Sequence, residues 1–281
     1  MMIRKAPVNK IIRFSNVDGP GNRTSIFFQS CPFKCAYCHN PETINLCNNC
    51  GKCVTTCPTK ALTIVDNKVI WNKDKCVDCD TCLKTCDNYS TPKSQLLTTD
   101  ELLSEINKQK GFIRGITTSG GECMTHAKYL LELFTKAKKE GYTCLIDSNG
   151  YFDFSKYPEL VEICDGVMLD VKAFDSDFHK ELTHKTNEVV IKNLKYLLKI
   201  NKLEEVRTVL LPNFSQQNSY TVNEVSKIIQ NKVTYKLLRY RPYGVTKQGK
   251  DFCGDVSYSI EDAIRLKDIA LSLNASKTIV I

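Results

Sequence analysis

The chain has 281 residues, 39 basic against 31 acidic side chains, a formal charge of +8, and 15 cysteines. A content of 42% hydrophobic and 25% charged residues is that of a globular protein and excludes wholesale disorder. No run approaches the ~18 apolar residues of a membrane span, and the segment 1–10 has basic residues with no apolar run behind them, so no secretory leader is expected. The expected compartment is the cytoplasm, where disulfides are rare and closely spaced cysteines read as metal ligands.

In chain order, residues 24–29 form the first strand candidate. Eleven of the 15 cysteines then fall between Cys31 and Cys86. Cys47, Cys50, Cys53 and Cys57 recur as Cys76, Cys79, Cys82 and Cys86, each shifted by 29 residues. Such an internal repeat implies two copies of one small unit. Between the copies, 62–65 and 69–71 flank Asp66-Asn67-Lys68 and read as a short hairpin. Residues 89–92 read as a linker. Thr98 with Glu101 three residues on is a capping box, opening a helix to about Lys110. Strands at 115–119, 143–147, 167–170, 206–211 and 234–239 then alternate with helices. The helices are expected at 127–140, 157–164, around Phe178, and at 187–201, 221–231 and 260–273. A last apolar run covers 277–281. About six βα units predict a parallel sheet, closed as an incomplete barrel.

Cys31-x3-Cys35-x2-Cys38 places three thiolates close enough to hold three irons of a [4Fe–4S] cluster and leave one iron open. Zinc sites take four ligands, often as separated pairs, and fit less well. The run Cys47 to Cys57, followed by Pro58, matches the bacterial ferredoxin pattern, in which the fourth cysteine serves the other cluster. One cluster then falls to Cys47, Cys50, Cys53 and Cys86, and the second to Cys76, Cys79, Cys82 and Cys57. Asp87 stands where a proline would complete the second run. A pair of zinc ribbons is the alternative.

Ser119-Gly120-Gly121-Glu122 follows a predicted strand. Its glycines permit close approach of a ligand to the backbone, and its carboxylate can accept from an ammonium group. Asp147-Ser148 and Asp170-Val171-Lys172 end the next two strands, and charged residues at such ends face the active-site side of a barrel. A helix cap for Asp147 and a surface pair for Asp170 and Lys172 are the alternatives. Arg207 in the fifth strand is a further carboxylate partner.

The C-x3-C-x2-C run resembles the signature of radical S-adenosylmethionine (SAM) enzymes. The stretch Asp18-Gly19-Pro20-Gly21-Asn22-Arg23-Thr24, with Phe27-Phe28 and Cys38-His39-Asn40-Pro41, resembles the glycyl radical enzyme activating enzymes, of which pyruvate formate-lyase activating enzyme is the familiar member. Length and order are most similar to the YjjW-type subgroup, which carries a two-cluster ferredoxin insert. The resemblance implies an α/β fold: an incomplete (β/α)6 TIM-like radical SAM barrel from 1–43 and 93–281, with a small α+β 2[4Fe–4S] ferredoxin-like domain inserted at 44–92. It implies reductive cleavage of SAM to a 5′-deoxyadenosyl radical that takes a hydrogen from a glycine of a partner enzyme. The implied cofactors are three [4Fe–4S] clusters (one SAM-binding, two auxiliary), SAM itself and a monovalent cation.

The same resemblance assigns Gly120, Gly121 and Glu122 to the SAM amino group and Lys172 to its carboxylate. Asp147, Ser148 and Asp170 go to the cation or ribose, Tyr37 to the adenine, and Arg207 to a further carboxylate contact. Asp18 is assigned to the glycine loop of the partner, although a turn-stabilising role fits it equally. Gly244 stands where relatives carry a histidine, leaving Arg239 or Arg241 to replace that contact. His39 reads as a donor behind the third ligand or as structural. Cys144 and Cys164 read as small core residues, Cys123 reads as a packing residue with contact to SAM as the alternative, and Cys253 is unassigned. The insert clusters are expected to relay electrons from an external donor such as flavodoxin or ferredoxin. A radical SAM enzyme acting on a small molecule or peptide, and a ferredoxin-type carrier, are the competing readings.

The clusters also revise the charge. An oxidised cluster with four thiolates carries about −2 and one with three about −1, so the +8 falls to about +3. Neither nucleic acid nor membrane is therefore expected as a partner.

Overall fold

The computed structural model describes residues 4–281, so the first three residues of the segment read for a leader lie outside it. Strands β1 (Lys5–Ser15) and β2 (Arg23–Phe28) run antiparallel. The chain then enters the cysteine-rich segment: α1 (Lys52–Thr56), β3 (Leu62–Val65), β4 (Lys68–Trp71) and α2 (Thr81–Lys84). It returns through β5 (Gln95–Thr98), antiparallel to β1, and α3 (Thr99–Asn107). From there strand and helix alternate: β6 (Gly115–Gly120), α4 (Ala127–Lys139), β7 (Thr143–Ser148), α5 (Pro158–Ile163) and β8 (Gly166–Asp170). The second half continues with α6 (Ser176–Thr183), α7 (Glu188–Lys199), β9 (Leu203–Leu210), α8 (Ser215–Ile229) and β10 (Thr234–Arg239). It ends with α9 (Lys247–Cys253), α10 (Ile260–Ser272) and β11 (Thr278–Val280).

Nine strands form one sheet in the order β11-β10-β9-β8-β7-β6-β2-β1-β5. β2 and β6 to β10 are mutually parallel, the expected incomplete barrel, and the apolar run at the C-terminus adds β11 as a seventh parallel strand. Buried on both faces, these strands read as near-continuous apolar runs. Val167, Met168 and Leu169 of β8 are each fully buried. Helix α4 turns Leu130, Leu133, Phe134 and Ala137 inward at helical spacing. The capping box is present as read: Thr98 Oγ1 accepts from the Glu101 amide, and Glu101 accepts from the Thr98 amide. No helix among the described residues is long and apolar enough to cross a membrane.

Three elements escape the sequence pattern. β1 is interrupted by two register shifts, which break its alternation. β5 is a short, half-exposed edge strand. α9 contains Gly249, whose Cβ would lie 1.9 Å from the Ala36 carbonyl oxygen. That glycine lets α9 rest directly on the Cys31–Cys38 loop.

In the cysteine-rich segment the 29-residue repeat extends to backbone conformation. Asn49 and Asp78, Gly51 and Asp80, and Lys60 and Tyr89 are pairs 29 residues apart, and all six have positive φ. Thr56 and Thr85, also equivalent, meet at 3.2 Å. The hairpin turns at Asp66-Asn67, both left-handed, as a two-residue type I′ connection demands. The stretch 89–92 is no loose linker. Asn45 N donates to Tyr89 O, and the Asn45 and Asn88 amides cross-bond to Asn88 O and Leu46 O. The two ends of the segment are clamped together, and Ile44 O accepts from Cys31 N, so the clamp is rooted on the three-cysteine loop.

Candidate functional site

The C-terminal end of β2 leads straight into the loop that carries Cys31, Cys35 and Cys38. Lys34 N and Ala36 N donate to Thr183 O and Leu182 O at the end of α6, which fixes the loop over the sheet. From the other side His39 Nε2 meets Arg241 O at 2.8 Å. Gly244, left-handed, would place a Cβ 2.7 Å from His39 O, so no side chain fits there. Segment 241–249 thus braces the loop by backbone contact. Arg239, one candidate to replace a histidine at 244, donates instead to Tyr258 O, and Arg241 is exposed.

The next strand ends converge on this loop. Gly121 N donates to Phe28 O and Glu122 N to Ser30 O. A Cβ on Gly120 would lie 2.1 Å from Phe28 N, and one on Gly121 would lie 2.4 Å from Ser30 O. The close approach these glycines permit is therefore of chain to chain. Glu122 is buried and accepts from Met124 N, Ser148 Oγ and Asn149 N. Burial pushes its carboxyl up to about 7 in spite of those donors. Asn149 in turn points Nδ2 at Cys31 Sγ, 3.5 Å away. Sequence reasoning passed over Asn149, whose only signal was its place beside Asp147-Ser148 at a strand end.

Asp147 accepts from Ser119 Oγ (2.9 Å) and pairs with Arg207 (2.9 Å), which also pairs with Glu205, itself bound to Lys236 at 2.7 Å. This alternating chain of charges is mostly buried and spans β7, β9 and β10. Glu205 and Lys236 were also missed, although Glu205 and Arg207 are charged i, i+2 neighbours on one strand face. Burial raises the Asp147 carboxyl, partly offset by Arg207. Lys172 pairs with Asp170 at 3.0 Å and lies 5.5 Å from the Tyr37 ring centroid. Both are largely buried, so the pair is not a surface one. Burial disfavours the Lys172 ammonium, but Asp170, Tyr37 and Cys35 together outweigh this and hold its pKa up.

Asp18 lies in the turn before β2. Its Oδ2 accepts from Ser15 and Ser25, and its carbonyl accepts from Thr117 Oγ1. Cys123, Cys144, Cys164 and Cys253 are all buried, and Cys123 Sγ sits 3.4 Å from Asp147 O.

Whether these residues suit iron–sulfur clusters can be judged from the donor sets. Burial pushes the Cys35 thiol up to about 12 and Cys31 higher still, so free thiols there stay protonated and only a bound metal makes them thiolates. The Tyr37 hydroxyl beside them is buried and, among the described residues, has no hydrogen-bond partner. In the insert, one partly open cavity is lined by Cys57, Cys76, Cys79 and Cys82, and another by Cys47, Cys50, Cys53 and Cys86, with Cys82 touching both. These are the crossed quartets read from the repeat. Beyond left-handed Lys60, Ala61 N lies 3.3 Å from Cys57 Sγ. No group of His, Cys, Asp or Glu among the described residues has the tight arrangement of a single-ion site. The donor sets fit clusters.

Residues 25–219 match the radical SAM superfamily. The choline trimethylamine-lyase activating enzyme of Oleidesulfovibrio alaskensis is 30% identical, over 96% of this chain and 94% of that protein. The trans-4-hydroxy-L-proline dehydratase activating enzyme of Clostridioides difficile is 31% identical, over 83% of each. Among solved structures, Escherichia coli QueE superposes with TM-score 0.51 at 16% identity, over 94% of this chain and 91% of that one. Streptococcus suis SuiB bound to its precursor peptide gives 0.57 at 14% identity, over 90% and 47%. The structural likenesses show the shared fold. The chain belongs to the radical SAM superfamily and, within it, to the glycyl-radical enzyme activating enzymes.

Proposed function

We propose that this chain activates a glycyl radical enzyme, and that its ferredoxin-like insert at 44–92, set into a barrel of 1–43 and 93–281, carries two further [4Fe–4S] clusters. The observation that carries the reading is the three-cysteine loop fixed at the mouth of a partial barrel, with the paired cysteine quartets rooted beside it. When bound, a reduced [4Fe–4S] cluster supplies the electron that splits SAM into methionine and a 5′-deoxyadenosyl radical, which takes a hydrogen from a partner glycine.

The chain's own residues hold and orient. Cys31, Cys35 and Cys38 hold the SAM-binding cluster, with Asn149 donating to the Cys31 sulfur. Glu122 and the Gly120-Gly121 turn fix the β6 end against that loop, where the SAM amino group is to be received. Tyr37 and Lys172 line the same side for adenine and carboxylate, with Asp147, Ser148, Asp170 and Arg207 beyond them. A monovalent cation at Asp147 must share that carboxylate with Arg207, which already engages it. The buried walls exclude water from a reactive radical, which is positioning rather than acid–base work. Asp18 is proposed to meet the partner's glycine loop. The two insert clusters are proposed to relay electrons from a soluble donor such as flavodoxin or ferredoxin in an anaerobic cytoplasm. Cys47 follows Asn45 by two residues and Cys86 precedes Asn88 by two, so this quartet adjoins the clamp, which supports an order of distal quartet, proximal quartet, barrel.

The test is anaerobic reconstitution. Iron near twelve per chain, reductive release of 5′-deoxyadenosine from SAM, and a glycyl radical by EPR in a candidate partner are expected. Cys35→Ser removes SAM cleavage. Cys50→Ser and Cys79→Ser slow the reaction with a biological donor more than with dithionite. Normal rates with both donors, with the insert iron gone, rule out the relay.

A further inference from the structure

The protein has a single tryptophan, Trp71, at the end of β4. Its ring lines the cavity of Cys57, Cys76, Cys79 and Cys82, and packs with Cys57 and Leu83 against the small core of Cys53, Leu62 and Cys82. Its indole Nε1 is buried, and among the described residues it has no hydrogen-bond partner. An indole N–H is donor only, so no water-like reversal of roles can satisfy it. Native structures rarely leave such a group unpaired, and an orphan donor commonly marks an ion or group outside the protein atoms. The acceptors that belong in this cavity are sulfurs.

The other cavity sharpens the point. Two residues back on the same strand, and so on the same face, Val69 lines the cavity of Cys47, Cys50, Cys53 and Cys86. Trp71 pairs with Leu62 and Val69 with Ile64 across the hairpin. The Asn72 amide, bonded to Ala61 O at 2.8 Å, fixes the strand end that carries Trp71. One strand therefore places an indole with an unpaired N–H in the lining of one quartet's cavity and an aliphatic side chain in that of its symmetry mate. The repeat makes the two sites alike in ligands and backbone; this pair makes them unlike.

We infer that Trp71 donates its indole N–H to a sulfur of the cluster held by Cys57, Cys76, Cys79 and Cys82, and so raises that cluster's reduction potential. The inference rests on the two-cluster reading of the insert. A hydrogen bond to sulfur favours the reduced, more negative state, which is how such contacts tune clusters. Trp71 acts as a positioning and tuning residue and takes no part in bond breaking.

The experiment is a potentiometric titration followed by EPR on the anaerobically reconstituted full-length protein. In Trp71→Phe one of the three cluster midpoints moves to lower potential and the other two stay. Replacing Trp71 with β-(3-benzothienyl)alanine, which keeps the bicyclic shape but has sulfur for the N–H, gives the same downward shift. If Trp71→Phe loses the cluster, the benzothienyl protein decides. Full iron with all three midpoints unmoved overturns the contact. Iron near four in the unsubstituted protein overturns the two-cluster reading itself, and so separates the two failures. Cys79→Ser identifies the signal, because it must remove the midpoint that Trp71 shifts.

Discussion

In the barrel, buried apolar side chains run from Ala6 to Ala275 as one continuous core. In the insert, only Cys53, Leu62 and Cys82 form a buried cluster, and two of those three are assigned as metal ligands. Ile64, Val65, Ile70 and Val77 remain largely exposed there. A segment of fewer than ~50 residues rarely builds a self-sufficient core, and metal–thiolate bonds are one of the staples that replace it. The contrast teaches that the barrel folds on burial, whereas the insert, on the proposed two-cluster reading, folds on metal–thiolate bonds and on the clamp at its base.

The strongest way to break that comparison is to remove the insert's metal. Cys53→Ser combined with Cys82→Ser takes one ligand from each quartet, leaving the barrel's three cysteines intact. Backbone amides between 47 and 86 should then lose nearly all protection from hydrogen exchange, while those of β6 to β8 keep theirs. Equal loss in both regions means that the insert and the barrel fold as one unit.

Within the barrel the largest single-residue effect is expected at Arg207. Arg207→Met leaves the Glu205–Lys236 pair in place but strands the buried Asp147 carboxylate. Breaking one side of a buried pair typically costs about 3–5 kcal/mol. Anaerobic thermal unfolding should show a clear drop, and adding Asp147→Asn should restore part of it. A drop unchanged by the second substitution assigns the loss to packing of the guanidinium instead of charge.

The two regions were also unequally legible. In the insert the repeat was legible, because ligand spacing is a local code carried by Cys47 to Cys57 and Cys76 to Cys86, whereas the short helices α1 and α2 and the clamp at 88–89, read as a linker, were not. The turn at Asp66-Asn67 was legible for the same reason. In the barrel, periodicity places β6 to β10 and most long helices within a few residues, since their apolar faces are continuous, but α8 begins six residues before the start read for it. It fails at β1, where bulges break the alternation, and at α9, where Gly249 looks like a helix breaker but serves packing on Ala36. At the site, sequence could put Asp147, Asp170 and Lys172 at strand ends. It could not say that Arg207 reaches across β8 to Asp147, because only sheet order decides which charges meet. Nor could it show that Gly120 and Gly121 bring strand to loop.

Glu122 sharpens the picture of the barrel mouth through pH. Its carboxyl is raised in the folded state from an ordinary 4.5 to about 7. Between those values the folded protein holds a proton that the unfolded chain has released. This group's contribution is therefore full below about pH 4.5 and is lost as pH rises towards 7, by at most about 3 kcal/mol. Glu122→Gln should flatten that part of the profile. Its N–H₂ also replaces one carboxylate oxygen and so faces a donor, Asn149 N in one orientation or Met124 N and Ser148 Oγ in the other, which makes the variant less stable. A profile whose slope survives the substitution places the titrating group elsewhere.

The smallest effect tests the boundary where the chain leaves the insert and re-enters the barrel. Thr98 ends β5 and caps α3, with Glu101 closing the box. Thr98→Ala removes the acceptor for the Glu101 amide and frees one end of the first turn, which costs about 1 kcal/mol. The helix packs on the barrel through Leu102 and Ile106, both fully buried, so the loss should appear in barrel unfolding. Iron content and exchange protection between 47 and 86 should not change, because the clamp of Asn45, Asn88 and Tyr89 lies upstream of the cap. If protection in the insert falls with the cap, stability passes from α3 through β5 into the cluster segment, and the insert leans on the barrel as well as on its own metal.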